Sequence, residues 1–211
     1  MKVLIYSDVH GNLPAFEKML KAEGHCDAYI CLGDLVNYGP WSNECVEVAS
    51  GLPNAVLLMG NHEKAYINGY YPGDNALVQK FFQHTYPSFN KLEAIKAFLP
   101  AFTLGNYTCT HTIKNSYIYP DTTVTLDGNY IIGHSHHQFI YHNNGFTLYN
   151  AGSAGQNRKY INAANYLVYY ADEERIELKE TIFDINLLVK EMEARNYPAE
   201  CIAYYKNKML K

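Results

Sequence analysis

Short apolar runs alternate with amphipathic stretches along the first third of the chain, and each apolar run stops at a polar or acidic residue. Residues 3–6 read as a buried strand with Asp8 just past its end. Asn12 stands at a helix N-cap position before Phe16, Met19 and Leu20, which fall at helical spacing, and Gly24 marks the stop. Residues 29–32 form a second strand ending at Gly33-Asp34, and a helix follows over about 42–49. A third strand over 56–59 ends at Gly60-Asn61-His62. Strand and helix repeated in this order predict parallel strands with helical crossovers.

The middle of the chain, 74–98, reads as helical, with Phe81, Phe82, Leu92, Ile95 and Phe98 at helix spacing. Beyond Pro100 the texture changes to short β segments, and Asp127-Gly128 and Asn143-Asn144-Gly145 are hairpin signals. Residues 166–170 and 176–182 form another hairpin across the charged turn Asp172-Glu173-Glu174-Arg175. Asp184 caps a helix that places Ile185, Leu188, Val189 and Met192 on one face, and a last short helix begins near Pro198. No repeat, low-complexity tract or linker interrupts this order. The expectation is α/β architecture in one domain over 1–211, with two packed β-sheets flanked by helices.

Composition narrows the function classes. With 211 residues, 48% of them hydrophobic and 18% charged, the chain has the make-up of a globular protein with a substantial core. A formal net charge of −4 argues against a surface for duplex nucleic acid, though not against a small phosphate-bearing substrate, because bound metal supplies positive charge locally. Five scattered cysteines without a Cys-x-x-Cys pair argue against a disulfide framework and fit the cytoplasm. The opening apolar run is far too short for a signal peptide, and no segment approaches the ~20 apolar residues needed to cross a bilayer. The 20 tyrosines suit core and boundary packing, and a few can line a pocket for a nucleobase.

Chemistry concentrates in four fragments and one isolated histidine: Asp8-Val9-His10, Gly33-Asp34, Gly60-Asn61-His62, Gly133-His134-Ser135-His136, and His111. Residues two apart on an extended segment point the same way, so Asp8 and His10 can face one ion, as can His134 and His136. Asp34 can bridge two ions. Mixed carboxylate and imidazole donors suit Mn, Fe, Zn or Ni better than Mg or Ca alone. A glycine precedes Asp34, Asn61 and His134, as loops converging on a cluster require. Alone, Asp-x-His, Gly-Asp and Asn61-His62 are weak, being common turn chemistry, and His134-x-His136 is stronger, because two buried same-facing imidazoles would otherwise need separate partners. Their order is not weak, with three consecutive strands each ending in one fragment and the histidine pair downstream. Two divalent ions against Asp8 and Asp34 leave about +2, which attracts phosphate and acidifies bound water.

These fragments resemble the motifs of the calcineurin-like metallophosphoesterases, in their small single-domain bacterial and archaeal branch. Ser7-Asp8-Val9-His10-Gly11-Asn12 is similar to the first motif, the run from Gly33-Asp34 to Gly39-Pro40 to the second, Gly60-Asn61-His62-Glu63 to the third and Gly133-His134-Ser135-His136 to the last. The stretch Asn150-Ala151-Gly152-Ser153-Ala154-Gly155-Gln156 and the end of the chain also resemble this branch. The resemblance implies a four-layer α/β/β/α sandwich of two mixed sheets with a dinuclear centre at the strand ends. It implies Asp8, His10 and His136 on one metal, Asn61, His111 and His134 on the other, and Asp34 between them. Manganese is the leading choice, and a hydroxide bridging the ions would attack phosphorus. His62 would act near the leaving group as general acid or charge stabiliser, or else only orient Asn61.

Three departures stand out. Thr112 follows His111 where the family has glycine, Asn37 stands where the branch commonly has glycine, and Glu63 replaces a more usual aspartate while still able to orient the His62 imidazole. Arg158 can contact a substrate phosphate or form a structural salt bridge. His25, His84, His137 and His142 match no motif position. The resemblance implies hydrolysis of phosphomonoesters or phosphodiesters, with a nucleotide-type substrate in view. Dinucleoside polyphosphate hydrolysis and protein serine/threonine dephosphorylation are the alternatives. A single-strand nuclease and a non-catalytic scaffold are weaker ones.

Overall fold

Strand β1 (Lys2–Tyr6) is an unbroken apolar run from Val3 to Tyr6 because both of its faces are covered there. Leu4 and Tyr6 enter the larger core with Phe16 and Met19, while Val3 and Ile5 enter a second core with Ile30, Leu32, Cys109, Ile131 and Ala151. The computed structural model describes residues 1–211. β1 pairs in parallel with β2 (Ala28–Cys31), which pairs in parallel with β3 (Ala55–Leu57). On its other side β1 runs antiparallel to β9 (Ala163–Tyr170), which forms the expected hairpin with β10 (Arg175–Ile182). The second sheet has the order β4 (Ala101–Leu104), β5 (Tyr107–Thr110), β6 (Asn129–Ile132), β8 (Phe146–Ala151) and β7 (Gln138–Asn143). Both sheets are mixed, and the second core lies between them.

Helices α1 (Leu13–Glu23), α2 (Ser42–Gly51), α6 (Ile185–Ala194) and α7 (Ala199–Lys206) contribute to the larger core on the outer face of the first sheet. Asn12 Oδ1 accepts the N–H of Ala15, and Asp184 accepts the N–H of Asn186, so both expected caps form. Phe16 and Met19 on α1 are fully buried, and each such side chain contributes about 1.5–3 kcal/mol relative to exposure. The outer face of the second sheet is covered differently. Ile118 and Leu126, from the non-helical segment after β5, pack on Ile132, Phe139 and Leu148.

The chain departs from its sequence pattern in three places. The stretch 74–98 is helical as read, but it is broken into α4 (Ala76–Thr85), a short 3-10 turn at Tyr86–Ser88 that holds Pro87, and α5 (Leu92–Lys96). Asp127-Gly128 is no hairpin, because β5 and β6 pair in parallel and the segment between them must cross over. Asn143-Asn144-Gly145 does join antiparallel strands β7 and β8. Helix α3 (Asn61–Asn68) was not legible as a helix. Its N-cap is Gly60, which has no side-chain oxygen, and the cap is made by Glu63 accepting the Gly60 N–H at 2.9 Å.

Candidate metal centre

Strands β1, β2 and β3 run side by side, so the loops that leave them open at one edge of the sandwich. The β5–β6 and β6–β7 loops reach the same edge from the second sheet. Asp8, His10, Asp34, His62, His111, His134 and His136 are all buried there, and Asn61 is partly exposed. Their donor atoms form three overlapping groups, Asp8–His10–His136, His10–Asp34–His62 and Asp34–His111–His134, each within 4.8 Å. Asp34 belongs to two of them. Asn61 Oδ1 lies 3.0 Å from His111 Nε2, so all the candidate residues come together.

The local backbone differs from the extended segments that the sequence spacing suggests. Asp8, His10, Asp34, His134 and His136 all have positive φ, between 51° and 69°. Left-handed backbone at non-glycine residues costs about 1–3 kcal/mol each and persists where the surroundings over-determine it. The simple alternation rule therefore fails, and His134 and His136 separate. His136 joins Asp8 and His10, and His134 joins Asp34 and His111. The glycines also act in two ways. Gly33 does turn sharply (φ 110°), but Gly60 is extended and is needed for close approach, since a Cβ there would sit 2.1 Å from Asp34 Oδ1.

Hydrogen bonding fixes which ring nitrogens face inward. Nδ1 of His10, His111 and His136 meets the backbone carbonyls of Val36, Leu32 and Gln156 at 3.1, 3.0 and 2.8 Å. A carbonyl only accepts, so in the neutral ring each Nδ1 carries the proton and each Nε2 carries a lone pair. Yet His10 Nε2 lies 3.1 Å from His136 Nε2, and His111 Nε2 lies 3.0 Å from His134 Nδ1. In the neutral rings of His10 and His136 two lone pairs are thus aimed at one another, an arrangement that a shared cation relieves, while His111 and His134 converge in the same way with the proton on either ring. The two carboxylates follow the same plan. Asp8 Oδ2 accepts the N–H of His134 and Asp34 Oδ1 accepts the N–H of His62, both at 2.9 Å. Their other oxygens face imidazoles, Asp8 Oδ1 at 3.1 Å from His136 and Asp34 Oδ2 at 3.2 Å from His111. These residues fit a metal centre of oxygen and nitrogen donors.

Electrostatics agree with that reading. Burial drives His62 down to about 3, and His134 and His136 to about 4, so these rings are neutral ligands or donors at pH 7. Burial also opposes charge on His111, but Asp34 outweighs it and raises His111 to about 9 without metal.

Glu63 has a different task from orienting His62. Its two oxygens accept the N–H groups of Asp34, Leu35 and Gly60 at 2.8, 2.7 and 2.9 Å, tying the second loop to the third. The partner of His62 is Asn37, one of the departures from the family pattern, whose amide nitrogen lies 2.9 Å from Nδ1. The sequence marked Asn37 only as unusual. The available signal was an asparagine at a position where glycine is common, and asparagine tolerates the positive φ of 73° found there.

Beside the cluster a recess of about 160 Å³ is lined by Asn61, Lys64, Thr110, His111, Thr112 and His134. Tyrosines rim the opening. Tyr117 stacks on His134 with centroids 4.0 Å apart, and Tyr71 lies parallel to His62 at 5.5 Å. A larger surface cavity between α4 and α7 contains none of the clustered residues.

The model of the calcineurin-like phosphoesterases matches residues 1–181. The chain belongs to this family. It is a phosphoester hydrolase with a histidine–aspartate cluster able to bind metal. An uncharacterized protein of Methanocaldococcus jannaschii is 30% identical over 218 residues, covering 87% of this chain and 88% of that one. A serine/threonine-protein phosphatase 2B catalytic subunit of Saccharomyces cerevisiae is 28% identical over 120 residues, 52% of this chain and 19% of that protein. A metallophosphoesterase from Sphaerobacter thermophilus has the same fold, with a TM-score of 0.82 at 24% identity over 98% of both chains. The remaining histidines stay outside the metallophosphoesterase cluster. His25 is exposed, His84 packs on Tyr197, His142 meets Thr147 and His137 lies edge-on to Tyr119. No helix of the chain is long and apolar enough to cross a membrane.

Proposed function

We propose that this chain is a dinuclear-metal phosphoesterase acting on phosphomonoesters or phosphodiesters of nucleotide type. The observation that carries the reading is the pair of inward-facing nitrogen contacts, His10 with His136 and His111 with His134, separated by Asp34. In this reading Asp8, His10 and His136 hold one ion, Asn61, His111 and His134 hold another, and Asp34 lies between them. The ions, manganese first and iron, zinc or nickel otherwise, supply Lewis acidity and a more acidic water.

The protein's own groups do the rest. Three backbone carbonyls hold the ligand imidazoles in one tautomer, and backbone N–H groups lock one oxygen of each aspartate. Asn37 donates to His62 Nδ1, which leaves the proton on Nε2, the atom 4.0 Å from Asp34 Oδ2 and facing the cluster. In this reading that proton would be donated to the leaving oxygen in a hydrogen bond. Tyr117 stacks on His134 and the half-exposed Tyr119 stacks on Tyr117, so this tyrosine pair offers a face for a nucleobase. The likeness to the yeast phosphatase keeps protein dephosphorylation as a second reading.

The test is turnover of bis-p-nitrophenyl phosphate and p-nitrophenyl phosphate by Mn²⁺-loaded protein, followed by a screen of nucleotides, dinucleoside polyphosphates and phosphopeptides. Activity is expected with Mn²⁺ and is expected to vanish with a chelator. Undiminished turnover after complete metal removal would reject the reading.

A further inference from the structure

Three arginines occur in the chain, and they are not alike. Arg175 pairs with Glu173 and Glu177, and Arg195 pairs with Glu191. Arg158 has no carboxylate partner. It is half-buried, and its one side-chain hydrogen bond runs from Nη1 to the Tyr204 hydroxyl at 2.6 Å. A guanidinium carries five N–H donors in a rigid fork, so most of this fork has no protein acceptor. Holding a cation partly out of water without a counter-ion costs free energy, and that cost is recovered when an anion arrives from outside.

The position of Arg158 says where such an anion would lie. Two residues earlier, the carbonyl of Gln156 accepts from Nδ1 of His136, so Arg158 leaves the same loop that orients a cluster imidazole. That loop is stiff. Ser153 Oγ accepts the N–H of Gln156 at 2.7 Å, and Asn157 Oδ1 accepts the N–H groups of Lys159 and Tyr160 at 2.8 and 3.1 Å. The Arg158 charge is felt at Asp8 and His136 in the cluster and at Tyr38, Tyr71 and Tyr117 around its opening. Asp8 forms no ion pair with it; its Oδ2 accepts the His134 N–H and its Oδ1 lies 3.1 Å from the His136 ring.

We propose that Arg158, braced by Tyr204, is the phosphate-recognition residue of the site, its guanidinium fork gripping two oxygens of a phosphoryl group held beside the His136 edge of the cluster. This assignment rests on the phosphoesterase reading above and adds the group that recognises the anion. A planar fork matches the spacing of two phosphoryl oxygens in a way that a lysine cannot. Tyr204 takes one donor of the fork and so fixes its plane.

The experiment is calorimetric titration of inorganic phosphate into Mn²⁺-loaded wild-type protein, Arg158→Ala, Arg158→Lys and Tyr204→Phe, at metal contents matched by elemental analysis. Arg158→Ala is expected to weaken phosphate about tenfold to a hundredfold with melting temperature unchanged. Arg158→Lys, which keeps the charge and loses the fork, falls between, and Tyr204→Phe weakens phosphate severalfold. Phosphate affinity in Arg158→Ala within twofold of wild type overturns the assignment, as does a wild-type protein that binds no phosphate. If Arg158→Ala fails to fold, unchanged affinity in both Arg158→Lys and Tyr204→Phe overturns it. Hydrolysis of the bis ester is measured separately. Loss of turnover with the phosphate pattern intact rejects the hydrolytic reading alone, and turnover with unchanged phosphate affinity rejects Arg158 alone.

Discussion

The amide nitrogen of Asn37 lies 2.9 Å from Nδ1 of His62, and this contact decides which face of the imidazole carries its proton. An amide nitrogen only donates, so Nδ1 accepts and Nε2 holds the hydrogen that faces the cluster. Asn37 is itself held by Ser42 Oγ, which accepts its backbone N–H at 3.1 Å, and by the Thr85 hydroxyl, 3.2 Å from its Oδ1. Asn37→Ala is expected to lower kcat roughly tenfold through loss of orientation, with metal content unchanged. Asn37→Asp places a carboxylate against the ring, which favours the imidazolium and moves the His62 titration upward from about 3. A pH profile of kcat for the two variants checks both, and profiles identical to wild type would remove Asn37 from the mechanism.

In the proposed function Asp34 serves metal binding and His62 the leaving group, and substitutions can separate the two. Asp34 takes part in two donor groups, so Asp34→Asn should strip both ions. His62→Ala should keep the metal and lose about 10²–10⁴ in kcat. Elemental analysis beside turnover distinguishes the two, and full metal content in Asp34→Asn would contradict its place between the ions.

Gly60 is where the second and third loops come closest. An added Cβ would meet Asp34 Oδ1 at 2.1 Å, the Asp34 backbone nitrogen at 2.5 Å and Glu63 Oε2 at 2.7 Å. Gly60→Ala must therefore displace the proposed bridging carboxylate. The expected result is a folded protein with depressed melting temperature and little bound metal. Wild-type metal stoichiometry would show that the loop yields more easily than this packing implies.

Chelated protein should be most stable near neutral pH. His62 titrates near 3 and His134 and His136 near 4 when folded, against 6.5 in an unfolded chain. Between about pH 4 and 6.5 the unfolded chain binds protons that the folded protein refuses, so stability falls on acidification. His111 acts oppositely. Raised to about 9, its pairing with Asp34 contributes fully below pH 6.5 and is lost as pH rises through 9. Melting temperatures in EDTA from pH 4.5 to 9.5 should fall on both sides of neutrality, and His111→Gln should flatten the alkaline side. A melting temperature that climbs steadily from pH 7 to 5 would contradict these assignments.

The amino-acid sequence alone determined the strand–helix order of the first sixty residues, the helix caps at Asn12 and Asp184, the β9–β10 hairpin and the fragments that carry chemistry. These are local properties, set by apolar periodicity, capping residues and turn residues a few positions apart. Tertiary structure decided the rest. It paired β5 with β6 in parallel although Asp127-Gly128 looks like a hairpin turn, since strand partners are chosen by a sheet and not by a dipeptide. It also put His134 and His136 in different donor groups, because left-handed backbone at both residues breaks the alternation of an extended strand. Asp34 and Leu35, which Glu63 holds, and Asn37, the partner of His62, lie 25 or more residues away along the chain. No local pattern encodes such a contact. Only folding three loops onto one edge of the sandwich turned Glu63 into a backbone tie and Asn37 into the partner of His62.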